Sequence, residues 1–133
     1  MDAQELGKIP LFSDLTEDDL DALATYADEV TVSEGKHLVD EGGYAYDLFA
    51  ITEGTAQVIV GGDVVAELGP GDFFGEAGVI EKQQRNATVV AKTRMRLVTL
   101  TGWDLRRMRR QLAPVWEKLE KAIEQRRQPI AES

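Results

Sequence analysis

The chain has 133 residues, a length that suits one domain with a core large enough to fold without staples. It has no cysteine, which excludes disulfides and thiolate chemistry, and no apolar run approaches the ~18 residues of a membrane span. The net charge of −9 is uneven: residues 1–91 hold 19 of the 24 acids and 4 of the 15 bases, and residues 92–133 hold the rest.

The acidic body argues against general nucleic-acid affinity. The basic end, with Arg94, Arg96, Arg106, Arg107, Arg109 and Arg110, reads either as a solvated helix face or as a contact for an acidic partner, a polyanion or the acidic body itself. The N-terminus, Met1-Asp2-Ala3-Gln4-Glu5, lacks the basic and apolar regions of a signal peptide. Together these features predict a soluble, cytoplasmic protein with no membrane association.

Residues 1–29 predict a helical segment. Ser13 and Thr16 are both candidate N-caps, and Glu17, Asp18 and Asp19 put negative charge where a first helical turn favours it. Leu20, Leu23, Ala24 and Ala27 then follow at helical spacing, while Ile9, Leu11, Phe12 and Leu15 are placed to dock the segment on the body.

Residues 30–101 change period. Short β-type runs recur: Leu38-Val39, Leu48 to Ile51, Ala56 to Val60, Val64 to Leu68, Thr88 to Ala91 and Leu97 to Leu100. Gly61-Gly62-Asp63 between two of them is a hairpin signal. Many short strands punctuated by glycine predict a closed barrel or jelly roll, which offers a concave apolar pocket within one domain. The expected fold is therefore α+β, mainly β: a jelly-roll barrel flanked by N-terminal and C-terminal helices.

Residues 102–128 return to helical spacing. A helix is expected near 103–111, and a second begins with Pro114 near its first position. Val115, Leu119, Ala122 and Ile123 form an apolar stripe on the second helix. It fits either packing against the body or a homodimer seam or lid. Trp103 and Trp116 are expected to pack, with Trp116 also a candidate cover for a ligand's flat face.

The stretch 74–91 carries the chemistry. Gly75 lets the backbone approach a ligand closely. Glu76, acceptor-only when ionised, suits a hydroxyl donor, and Arg85 brings a permanent cation with a planar fork suited to phosphate oxygens. Ala77 to Ile80 fit a short helical turn whose N–H groups face an anion, and Ala87 is small enough for its own N–H to reach one. Ile51, Leu68, Val79 and Val89 are candidates for an apolar wall. Taken singly, Glu76 and Arg85 also fit a surface salt bridge; order, spacing and small residues together favour a ligand site.

This stretch resembles the phosphate-binding cassette of the cyclic nucleotide-binding domain. That family includes the bacterial cAMP receptor protein, the regulatory subunits of cAMP-dependent kinase and cyclic nucleotide-gated channels. The likeness extends to Gly35 through Gly42, to Asp47 through Val58, to the Leu68 to Glu76 run, and to the flanking helices. It covers roughly residues 9–127 of the chain.

The resemblance implies a single domain over 1–133 that binds a cyclic nucleotide and performs no catalysis. Glu76 would meet the ribose, Arg85 the phosphate, and the backbone at Gly75, Ala77 and Ala87 the phosphate or sugar. Asn86 stands where many members carry serine, threonine or alanine, which leaves cAMP or cGMP open, with cAMP the working expectation. No cofactor or metal is implied; the lone His37 lacks a companion ligand.

Binding would shift the C-terminal helices and signal to an effector protein or through a homodimer along Val115, Leu119, Ala122 and Ile123. Little chain follows the last helix, so DNA binding is not expected. The rival readings are a scaffold that keeps the fold without binding nucleotide, and a shortened transcription regulator.

Overall fold

The structure, a computed structural model, describes residues 2–42, 47–76 and 87–127, with 126 and 127 described by their backbone alone. The chain opens with α1 (Ala3–Gly7), a 3-10 turn (Pro10–Phe12) and α2 (Glu17–Ala24). Eight strands follow among the described residues: β1 (Asp28–Val32), β2 (His37–Val39), β3 (Leu48–Glu53), β4 (Ala56–Val60), β5 (Asp63–Leu68), β6 (Phe73–Phe74), β7 (Thr88–Ala91) and β8 (Met95–Leu100). Two helices close the order, α3 (Gly102–Arg107) and α4 (Ala113–Arg127).

Local chemistry explains the ends of these elements. Of the two candidate caps, Thr16 starts α2, its hydroxyl accepting the Asp19 N–H at 3.2 Å. Ser13 instead donates to the Pro10 carbonyl at 2.9 Å and finishes the 3-10 turn. Thr101 caps α3 in the same way, through Asp104 N–H at 3.1 Å. The α3 helix stops at Arg107, short of the expected 111, and Pro114 falls in the first turn of α4, where its missing N–H is harmless.

The strands form two antiparallel sheets, ordered β1-β8-β3-β6 and β2-β7-β4-β5. Their pairing is nested: first with eighth, second with seventh, third with sixth and fourth with fifth. That is a jelly roll, built as a sandwich rather than the closed barrel expected, since no strand pairing joins the two sheets among the described residues. The β4–β5 hairpin turns through Gly61 and Gly62, with φ of 58° and 88°. Two positive φ values in a two-residue loop match the twist of the strands it joins.

The core has two compartments. Strand β3 shows why: Leu48 and Ala50 face one, with the helices, and Phe49 and Ile51 face the other, between the sheets. The contiguous apolar run of β3 thus buries both faces of the first sheet. In the helical compartment, Leu6, Phe12, Leu23, Leu105, Leu112 and Leu119 are all fully buried.

Three expectations change here. Val115, Leu119 and Ile123 are buried against the chain's own body, at 0%, 0% and 9% exposure, and Ala122 is half-buried. The stripe is core, and a seam between copies would require α4 to leave the body. Trp103 does not pack: it is 71% exposed. Trp116 does pack, but inside the helical compartment, away from the cluster between the sheets, so it is not placed as a ligand cover. Among the described residues, no helix is long and apolar enough to cross a membrane.

Candidate functional site

The β3 strand and the turn after β5 deliver the site's first residues. Gly71 N–H donates to the Ile51 carbonyl at 3.0 Å, and Ile51 N–H donates to the Asp72 carbonyl at 2.9 Å. The Gly69-Pro70-Gly71 segment is therefore a turn pinned to β3, closed by Asp72 Oδ2 on Gly69 N–H at 2.8 Å. It leads straight into β6, the edge strand of the first sheet.

Phe74 ends β6 and anchors it. Its ring stacks on Phe49 with centroids 4.9 Å apart and an interplanar angle of 12°. The two residues are direct partners across β3 and β6, which brings their rings together on one face.

Gly75 then turns the backbone with a φ of 97°, a conformation that side-chain-bearing residues rarely adopt. Glu76 follows, with helical backbone, and is 1% exposed. It is the buried charged side chain among the described residues. A carboxylate is held so deeply only where donors repay its lost hydration. The local design is legible: a stacked ring fixes the strand end, a glycine reverses the chain, and the carboxylate is driven inward.

The far end of the site belongs to the second sheet. Ala87 is half-buried and precedes β7, whose Val89 lies between the sheets at 4% exposure. Gly75 and Glu76 thus stand at an edge strand of one sheet, and Ala87 at the start of an interior strand of the other. Of the predicted site residues, Gly75, Glu76 and Ala87 are placed in this way; Ala77, Arg85 and Asn86 lie outside the described residues. Of the predicted wall, Ile51 and Val89 are buried between the sheets, Leu68 packs against them partly buried, and Val79 lies outside the described residues.

Glu41, which the sequence places in the Gly35 to Gly42 likeness without a role, is a positioning residue. Glu41 N–H donates to Thr88 Oγ1 at 2.9 Å, and Glu41 Oε1 accepts the Gly61 N–H at 3.1 Å. Glu41 therefore ties the first residue of β7 to the β4–β5 hairpin. Its signal in the sequence is slight: an acid followed by Gly42, whose φ is 82°.

Among the described residues, two of the larger hollows lie elsewhere. One, of about 430 Å³, sits where α1 and the Pro10 turn meet β1, β3 and β8. Three of its charged residues pair with one another: Arg96 with Glu29 and with Glu53, the latter at 3.3 Å. The hydrogen bond to Glu29 is the largest cause that raises the Arg96 pKa above its usual value, so this side chain stays cationic at every ordinary pH. The other hollow, of about 660 Å³, is lined by Arg106 through Gln111. His37 is exposed and pairs with Asp40 at 2.7 Å.

Comparison with known proteins follows the same architecture. The profile of the cyclic nucleotide-binding domain matches residues 29–111. A provisionally named potassium channel of Rhodopseudomonas palustris is 31% identical over 124 residues, covering 91% of this chain and 30% of the channel. A cAMP-dependent protein kinase regulatory subunit of Schizosaccharomyces pombe is 35% identical over 95 residues, covering 71% of this chain and 23% of its own length. This chain therefore spans less than a third of either relative. Among solved structures, the regulatory subunit of a cAMP-independent protein kinase A from Trypanosoma brucei aligns with a TM-score of 0.80 at 28% identity, covering 91% of this chain and 45% of that one.

Proposed function

The chain belongs to the cyclic nucleotide-binding domain family, and on that footing we propose that it is a regulatory module that binds cAMP and relays its presence through α3 and α4. The observation that carries the reading is Glu76: a carboxylate 1% exposed, set behind Gly75 at the end of β6. An inward acceptor at this place suits a ribose hydroxyl.

In this reading Arg85 pairs with the cyclic phosphate, whose single charge, shared by two exocyclic oxygens, matches a guanidinium fork. The backbone at Gly75, Ala77 and Ala87 adds N–H donors. Asn86 meets the base edge. The event is binding, not turnover, and the setting is the cytoplasm.

The response runs through packing. Lys118 on α4 donates to the Pro10 carbonyl at 2.6 Å and pairs with Asp14 at 3.1 Å, which holds α4 to the N-terminal segment. Trp116 holds α4 to α3. For ligand to move this unit, it must bind one arrangement of α3 and α4 more tightly than the other. Dimerisation through Val115, Leu119, Ala122 and Ile123 is open only to an arrangement in which α4 has left the body.

Likeness to the regulatory subunit of a cAMP-independent protein kinase A favours a second reading, in which the jelly roll takes a different nucleotide, a nucleoside or none. Isothermal titration with cAMP, cGMP and guanosine decides between them. Binding of cAMP, weakened at least ~10-fold by Arg85→Ala, supports the first reading. An absence of heat at millimolar cAMP overturns it, and heat with guanosine alone replaces the ligand.

A further inference from the structure

The segment from Thr101 to Gln111 carries four arginines and one acid, Asp104, on a chain whose first 91 residues hold 19 acids against 4 bases. Its surface is also unusual in shape and composition. Trp103, in the first turn of α3, is 71% exposed, more than any other large apolar side chain among the described residues. Helical spacing puts Arg106 and Arg107 on the same face as Trp103, three and four residues on.

The patch continues onto α2. The Arg107 guanidinium lies 4.6 Å from the centroid of the Tyr26 ring, and it also donates to Asp104 Oδ1 at 3.2 Å. Tyr26 is 36% exposed. Beside them, Arg106 through Gln111 surround the open hollow of about 660 Å³. Arg109 is committed to structure: it covers Trp116 at 4.7 Å and reaches Glu120 at 3.6 Å. Arg110 is exposed at the rim.

Tryptophan, tyrosine and arginine are the side chains that dominate binding energy at protein interfaces. An indole left in water keeps a large apolar area to bury, and arginine's fork recognises a carboxylate through two parallel hydrogen bonds. We propose that Tyr26, Trp103, Arg106, Arg107 and Arg110 form a docking surface for an acidic segment of a partner protein, one that sets an apolar side chain on Trp103 and carboxylates on the arginines.

The charge distribution selects a narrow partner over a broad one. Asp28 and Glu29 follow Tyr26 closely in sequence, at the start of β1, and exposed charges act over ~8 Å at physiological salt. An anionic bilayer presents a plane and would meet those acids together with the arginines. A single acidic helix or strand meets the arginines alone. None of its residues belongs to the Gly75 to Ala87 stretch, and the surface needs no ligand there.

The test uses the whole chain and a fluorescein-labelled, tryptophan-free peptide of repeated Glu-Glu-Leu units. Anisotropy is read with and without cAMP, and in parallel against phosphatidylserine vesicles and a labelled single-stranded DNA. The expected result is saturable peptide binding that weakens with added salt and persists without cAMP, accompanied by a blue shift of Trp103 emission.

Trp103→Ala and Arg110→Glu each weaken that binding by ~10-fold or more while leaving the melting temperature unchanged, since both side chains are exposed. Peptide that fails to bind, or that binds both variants as well as the parent chain, overturns the proposal. Tighter binding to the vesicles or to the DNA overturns it in favour of a lipid or nucleic-acid surface.

Discussion

The indole N–H of Trp116 donates to the main-chain carbonyl of Leu105 across 3.1 Å, and both residues are buried. The bond spans the break between α3 and α4 and makes the two helices one unit. Arg109, stacked over the same indole, covers it from the solvent side. In the proposed relay, a helix break next to such a tie would let the pair shift together without melting.

Trp116→Phe keeps most of the ring and removes the donor. The Leu105 carbonyl then loses its buried partner, at a cost of about 1–3 kcal/mol. Urea unfolding of the variant is expected to show a lower midpoint with an unchanged slope. An unaltered midpoint would mean that water replaces the indole and that the tie is weaker than its burial implies.

Gly54 has a φ of 88°, and a Cβ added there would stand 2.3 Å from the Arg94 carbonyl oxygen and 2.9 Å from Met95 Cγ. Gly35 has nearly the same φ, 87°, with open space around it. Gly35→Ala should cost only the backbone strain, about 1–2 kcal/mol, whereas Gly54→Ala must also push β8 away from the β3–β4 turn. Thermal melts of the two variants isolate the clash. Equal melting temperatures would show that the turn relaxes freely.

Gly75→Ala and Glu76→Gln address the site from two directions. The first strains a backbone held at a φ of 97° and turns the following carboxylate off its place. The second keeps the shape and removes the charge. Each is expected to weaken cAMP binding by about 1.5–3 kcal/mol, the range for a hydrogen bond to a charged group, read by titration calorimetry on protein whose circular dichroism is unchanged. Parent-like affinity in Glu76→Gln would remove the carboxylate from the ligand's contacts.

Lys118→Met cuts the link between α4 and the Pro10 turn while preserving the aliphatic stem. The pair with Asp14 is partly exposed, so its share of stability is at most ~1 kcal/mol. Hydrogen exchange should nonetheless quicken along α4, because the helix loses a polar fastening to the N-terminal segment. Exchange that stays at the parent rate would place the hold on α4 entirely in Val115, Leu119 and their apolar neighbours.

Much of the local structure was legible because it is set by near neighbours. Gly61-Gly62 announces its own turn, Thr16 with three acids announces the start of α2, and Pro114 announces the start of α4. The period-two runs gave the strands of the jelly roll. Gly75 and Glu76 stood out through their order and spacing relative to Arg85 and the small residues between, since singly each fits an ordinary structural role.

The tertiary structure decided what those residues touch. The apolar run of β3 reads the same whether one face or both are covered; that it lies between the helices and a second sheet follows from nested pairing of strands far apart in sequence. Trp103 and Trp116 are indistinguishable by composition, yet one is 71% exposed and the other 5%, because only Trp116 finds both an apolar compartment and an acceptor for its N–H. The stripe on α4 reads equally as seam or core until Leu11, Phe12 and Leu105 are brought against it. Local sequence sets backbone conformation and periodicity, since those depend on sterics and hydrogen bonds a few residues apart. Burial depends on which distant surfaces meet, and that is how Glu76 becomes a buried carboxylate and Trp103 an exposed indole.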